Sequence, residues 1–350
     1  MNVIFKKIKL LAICCLSSIG IVVILYQLSR NLNHHNNQFN RLFPPHFISY
    51  YHQTDLKFNS FYLAGFTKTH IFLGNSTAPG FMLVSNYELS DTHHIILQIP
   101  SNIAMVFPAA RLYIDSPDIF IMEGRTPSIL HGIYPDFLLH EYPNNQIYFN
   151  AASIISNRSL LVRAFDKETA QNMLMKSVTR PNAIIRSPGA LIKMGDGIFS
   201  LDGTISRDQY NHHFTYVYFY RNEFISLDSN LNILLKGKTI DSISTPQIKI
   251  SEITSEGITT LSAPPLTVNK TSCADSNYLF VDSKLRARNQ DEESFEASSV
   301  IDIYSLRNGE YLYSFYVPDH NHVKMKNFQV YNHRLVALYE HTLMTFSLNF

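Results

Sequence analysis

The sequence predicts an all-β fold carried behind a single membrane-spanning helix, and three observations predict it. The 350 residues include 24 Phe and 20 Tyr but no Trp, and Phe and Tyr suit pleated, half-buried surfaces. From about Phe47 onward, short apolar or alternating runs recur between clusters of Asn, Asp, Gly, Ser and Pro, with no convincing amphipathic helix. Near the N-terminus one uncharged run, Leu10–Leu28, has the length a bilayer requires. A hydrophobic fraction of 45% is ample for a large core and excludes wholesale disorder. The 29 Lys and Arg nearly cancel the 28 Asp and Glu, leaving +1, so the chain lacks the basic field that a nucleic-acid partner would need.

The N-terminal elements follow in order. Residues 1–9 form a basic tail with Lys6, Lys7 and Lys9, and residues 10–28 (LLAICCLSSIGIVVILYQL) form the anchor. The apolar run continues from Ile21 to Leu25, past the small residues Ser18 and Gly20, which favours an uncleaved span over a signal peptide. The lysines place the N-terminus in the cytoplasm and the rest of the chain outside, as a single-pass cell-membrane protein. Residues 29–45 are polar and Asn-rich at their start and end on Pro44 and Pro45, which reads as a tether; His34 and His35 are solvated spacers within it. Cys14 and Cys15 lie in the anchor, so Cys273 stands alone in residues 46–350 and no disulfide braces the fold. The tether composition and the missing disulfides point to a periplasmic or extracellular body, preferably on the periplasmic side of a bacterial inner membrane.

Within residues 46–350 the strands come as repeats. The clearest unit joins Tyr278–Asp282, Val300–Leu306 and Glu310–Val317, with Asn308-Gly309 as the turn of the last hairpin. The same rhythm recurs at Ile71–Gly74, Phe81–Tyr87 and His94–Ile99, and at Ile119–Met122, Ile129–Tyr134 and Phe137–Tyr142. It continues at Ser153–Ser156, Leu160–Asp166 and Met173–Val178, and at Tyr216–Tyr220, Glu223–Asp228 and Ile233–Lys236. Each of these copies has a further short strand ahead of it: Phe61–Phe66, Arg111–Ile114, Gln146–Asn150 and Gly197–Leu201 respectively. Four-stranded antiparallel units at this spacing are propeller blades, and the count gives six. The last unit, ending at Thr342–Leu348, is one strand short. An open sheet edge is costly, so a strand between Phe47 and Phe58 is expected to close the ring.

Through hairpins such as VIDIYSLRNGEYLYSFYV the chain resembles six-bladed β-propellers of the broad TolB-like and NHL-like class, over most of residues 47–350. It lacks the WD, YWTD and kelch double-glycine signatures, as well as a Trp docking motif, so the resemblance implies a fold and no particular chemistry.

A closed propeller gathers the second-to-third-strand connections and the inter-blade connections at one mouth. By this strand reading the former carry Asn75, Arg125, Arg158 and Arg221, and the latter add Arg180 and Arg186. Guanidinium groups converging there suit a small anionic ligand. The expected role is a binding or scaffolding module for such a ligand or for a protein partner. The alternative is a hydrolase or lyase with an Arg-lined site at the channel. Asp115, Asp118, Glu123 and Asp136, with His131 and His140, are the residues from which an acid–base pair would be built. No catalytic residue and no cofactor is assigned. His320, His322 and Asp319 form a metal-like triplet that reads better as a solvated loop, so no metal is expected. Asp282–Glu296 (DSKLRARNQDEESFE) reads as a solvated insertion or a docking arm.

Overall fold

The computed structural model describes residues 2–34, 38–101, 103, 105, 107–143, 147–253 and 258–349. Alternating apolar residues produce short antiparallel strands throughout, and the strand pairings delineate six four-stranded units arranged as a β-propeller. The first blade holds Phe61–Phe66, His70–Asn75, Phe81–Asn86 and Thr92–Ile96. The second holds Arg111–Asp115, Asp118–Glu123, Ser128–Ile133 and His140–Glu141. The third runs through Ala151–Ser156, Ser159–Asp166, Gln171–Thr179 and Asn182–Arg186, and the fourth through Gly203–Asp208, His213–Tyr218, Glu223–Leu227 and Ile233–Lys238. Asn269–Asp275, Tyr278–Ser283, Ser298–Ser305 and Tyr311–Pro318 form the fifth.

The sixth blade is completed as expected. Asn327–Tyr331, Arg334–Leu338 and Thr342–Leu348 supply three strands, and Ile48–Asp55 pairs antiparallel with the last of them, from Ile48 opposite Leu348 to Asp55 opposite Thr342. Strands from near both ends of the folded domain therefore share one sheet, which leaves no open seam in the ring.

The cores lie between neighbouring blades. Phe120, Met122 and Tyr142 of the second blade and its following loop pack against Ile154, Val162 and Met175 of the third. Gly65 and Ile114 join the inner strands of the first two blades by one parallel bridge, so those blades form a continuous eight-stranded sheet. A β-carbon at Gly65 would lie 2.3 Å from the Ile114 carbonyl oxygen, so only glycine fits that approach.

Turns on adjacent blades are tied together by buried aspartates. Asp208, which is fully buried, ends the inner strand of the fourth blade. It accepts from the backbone N–H of Tyr210 in its own turn and of Ser276 and Asn277 in the turn of the fifth blade. Asp275 repeats the device one blade on, accepting from the Asn332 N–H of the sixth. Ser276, Asn277 and Asn332 all hold positive φ, so these hydrogen bonds secure backbone that L-residues otherwise disfavour. Asp208→Ala is expected to cost about 1.5–3 kcal/mol, because it strands several buried donors; chemical denaturation measures it.

Three expectations change. The tether over residues 29–45 is shorter than expected, since the N-terminal helix runs from Asn2 to His34 and the chain is built into the propeller from Phe39 onward. The stretch between Lys236 and Tyr278, assigned to none of the repeats above, contains a hairpin, Ile250–Ile253 with Ile258–Leu261, outside the blades. In the third and fourth blades the inner strands are Ala151–Ser156 and Gly203–Asp208, not Gln146–Asn150 and Gly197–Leu201. In the third blade this shifts the strand count by one and moves Arg158 to a first-to-second-strand turn.

The insertion after Asp282 docks the chain's own N-terminal segment. Leu285 and Ala287 are buried with Phe39, Val268 and flanking Ile240, Ile243 and Leu266. A short helix, Glu292–Glu296, is capped by Asp291, whose carboxylate accepts the Ser294 N–H at 2.7 Å. Arg41 lies against this seat with 1% of its surface exposed. Its Nε is 2.7 Å from Asp302 Oδ1 and its Nη2 is 2.9 Å from Oδ2, a bidentate pair. Further donations reach the Leu285 carbonyl, Gln290 Oε1 and Ser283 Oγ.

Candidate functional site

Strand order decides which side chains can meet. Each inner strand runs toward the end of the propeller that bears the first-to-second and third-to-fourth turns, and the other connections lie at the opposite end. Asn75, Arg125, Arg186 and Arg221 sit at that opposite end, as expected. Arg158 and Arg180 do not, because they occupy the 157–158 and 180–181 turns of the third blade. The six residues therefore do not form one ring.

Those at the expected end also have different surroundings. Asn75 is buried, and its Oδ1 accepts from the N–H groups of Thr77 and Ala78, which shapes its own turn. Arg221 is fully buried: its Nε lies 2.7 Å from Glu223 Oε2, its Nη2 donates to the Ile192 carbonyl at 2.7 Å, and its guanidinium sits 3.5 Å above the Tyr218 ring. Burial pushes the Tyr218 hydroxyl up despite the nearby guanidinium. Arg186 is half exposed and pairs with Asp166 and Glu168, each at 3.1 Å. Arg125 is exposed and lines a cleft of about 550 Å³ between the second and third blades. Arg111 and the buried Glu123 share that cleft.

The propeller axis holds a second space, a cavity of about 180 Å³ lined by the inner strands of five blades. Its polar groups include Asp115, Ser153, Arg207, Gln209 and Gln329. Arg207 of the fourth blade reaches Asp115 of the second, bridging two non-adjacent blades, and its Nη2 lies 3.0 Å from His212 Nδ1. The Arg207 Nε is buried and makes no hydrogen bond. Nothing local in the sequence marks Arg207, since its partner lies 92 residues away.

Of the acid–base candidates, Asp118 and His131 meet at 2.6 Å on neighbouring strands, and His140 stands opposite His131 on the outermost one. His131, Asp136, His140 and Glu141 line a cleft of about 490 Å³. Asp115 faces the axis instead, and Glu123 caps the turn at Arg125 and Thr126. His320 contacts Asn321, and Asp319 faces Lys324 at 3.5 Å. Among the described residues no three His, Cys, Asp or Glu side chains are grouped to hold a metal.

No family model matches the sequence, and no curated protein sequence matches it. Solved structures do. A member of the DUF4221 family from Bacteroides vulgatus superposes with a TM-score of 0.52 at 13% identity, over 89% of this chain and 98% of that one. BamB from Moraxella catarrhalis has a TM-score of 0.42 at 10% identity, over 86% of this chain and 98% of its own. The Pan2 WD40 domain from Neurospora crassa has a TM-score of 0.46 at 9% identity, over 89% of this chain and 98% of its own. At such identities the likeness is one of fold alone, and the β-propeller is established by this chain's own strand pairing.

Proposed function

We propose that this protein is a membrane-anchored binding or scaffolding module, a six-bladed propeller held at the outer surface of a cell membrane by one N-terminal span. The observation that carries the reading is continuity. Among the described residues one helix is long and apolar enough to span a bilayer, over Lys6–Tyr26, and only four residues, 35–38, separate its last turn from Phe39, where the chain joins the propeller. Lys6, Lys7 and Lys9, at the N-terminal edge of that helix, favour a cytoplasmic N-terminus and an extracytoplasmic propeller. Full-length protein is expected to stay with membranes in alkaline carbonate, and protease added to spheroplasts is expected to digest the propeller. Ile19→Arg with Val22→Arg adds about 2.5–3.5 kcal/mol per residue to insertion and is expected to move the protein to the soluble fraction. Wild-type protein extracted by carbonate, or a propeller protected in spheroplasts, would refute the reading.

A small anionic ligand is the second part of the proposal, now centred on Arg125 and Arg111 in their shared cleft. Inorganic phosphate or a short dicarboxylate is expected to raise the melting temperature of the wild type, with the shift lost in Arg125→Ala. An equal shift in both proteins rules this cleft out.

A further inference from the structure

We infer that the end of the propeller bearing the second-to-third-strand and inter-blade connections faces the membrane and touches its lipid headgroups, while the opposite end points away. This rests on the anchor reading above and adds an orientation to it.

The first ground is the length of the leash and where it ends. Beyond Tyr26, the helix continues for eight residues to His34, about 12 Å at 1.5 Å per residue. From His34 to Phe39 the chain can span at most about 18 Å when fully extended. Phe39 is seated between the fourth and fifth blades, wholly among connections of one end: Ile240, Ile243, Leu266 and Val268 between the blades, and Leu285 and Ala287 between the second and third strands of the fifth. The Arg288 N–H donates to the Phe39 carbonyl and fixes that position.

The fifth blade has strands of up to 8 residues, about 26 Å of height. With the propeller inverted, the chain would have to climb that height and cross the headgroup layer, about 6 Å, before reaching its seat. Helix and leash laid out in one straight line span about 30 Å and fall short of the roughly 32 Å required. In the proposed orientation only the headgroup layer separates the span from the seat of Phe39.

The second ground is what this end exposes. Phe58, Tyr148 and Ile192, on three different inter-blade connections, are 65%, 67% and 48% exposed. Exposed lysines adjoin two of them, Lys57 beside Phe58 and Lys193 beside Ile192. Aromatic or apolar tips next to basic groups suit the interface of an anionic bilayer.

The test uses the full chain in vesicles of phosphatidylcholine and phosphatidylglycerol containing a headgroup-labelled acceptor lipid. Cys14→Ala and Cys15→Ala clear the background, and Cys273 stays unlabelled because it is fully buried. Donor dyes are placed one at a time at Arg288→Cys and Arg125→Cys on the proposed lipid-facing end, and at Arg307→Cys and Arg158→Cys on the other. Energy transfer from the first pair is expected to exceed that from the second by about twofold or more, given a propeller height of about 26 Å. A Gly-Ser spacer inserted between His34 and Gln38 is expected to shrink the difference. Equal or reversed transfer in protein that resists carbonate extraction overturns the orientation while leaving the anchor standing. Extraction of the unmodified chain by carbonate removes both.

Discussion

Arg41→Ala is expected to destabilise the propeller by about 3–5 kcal/mol, the cost of removing one partner of a buried ion pair. Asp302 is 1% exposed, and without the guanidinium its carboxylate would keep only smaller partners such as the Ser314 hydroxyl. Gln290 and Ser283 would lose their shared donor as well. Desolvation opposes the charge on Arg41, yet the facing Asp302 carboxylate prevails and raises its pKa, so the side chain stays charged at any ordinary pH. Arg41→Lys is expected to recover only part of the loss, since one ammonium cannot match a bidentate carboxylate and three further acceptors. The double replacement Arg41→Met with Asp302→Leu should cost clearly less than the two single changes summed. Urea denaturation of all the variants decides the matter. A loss under 1 kcal/mol for Arg41→Ala would mean that the segment is not clamped.

Removing the closing strand is expected to have the other large effect. A chain beginning at Gln38 keeps both the clamp and Ile48–Asp55, and should unfold in one cooperative transition at nearly the full-length midpoint. A chain beginning at Leu56 loses both, together with Phe47, which packs on Phe315 with ring centroids 5.0 Å apart. It also exposes the strand Thr342–Leu348 as an unpaired, apolar edge, the arrangement that promotes aggregation. The expected result is loss of the cooperative transition, because the strand contributes a large share of a total stability of only about 5–15 kcal/mol. A well-folded monomer from the shorter chain would show that the ring does not depend on this strand.

Legibility in the sequence followed the range of the interaction that decides each feature. The hairpin at Arg307-Asn308-Gly309 is legible because the tight turns that suit the twist of a hairpin use a residue at positive φ, which Asn-Gly supplies cheaply, and Gly309 sits at +80°. The missing strand of the last blade was readable because an unpaired edge is costly wherever it occurs. The third blade was misphased for the opposite reason. Its outer strand Asn182–Arg186 is short and mostly exposed, so its apolar pattern is weak and Ser153–Ser156 reads as the second strand, one place late. That single slip carried Arg158 to the wrong end. The sequence puts Arg221 on the correct connection but leaves its surroundings open, since turn composition does not reveal whether a guanidinium meets solvent or Glu223 and Tyr218.

The sequence by itself determined the β-propeller, its closure from the N-terminus and the apolar helix, because periodicity, turn chemistry and uninterrupted hydropathy are local and survive in a linear string. Only the tertiary structure decided that Phe39 and Arg41 belong to the propeller, that Arg207 spans its axis, and that the predicted arginines are shared between its two ends. Each of those outcomes depends on partners far apart in the chain: Asp302 lies 261 residues from Arg41, and the burial that makes such a pair matter exists only once the ring has closed.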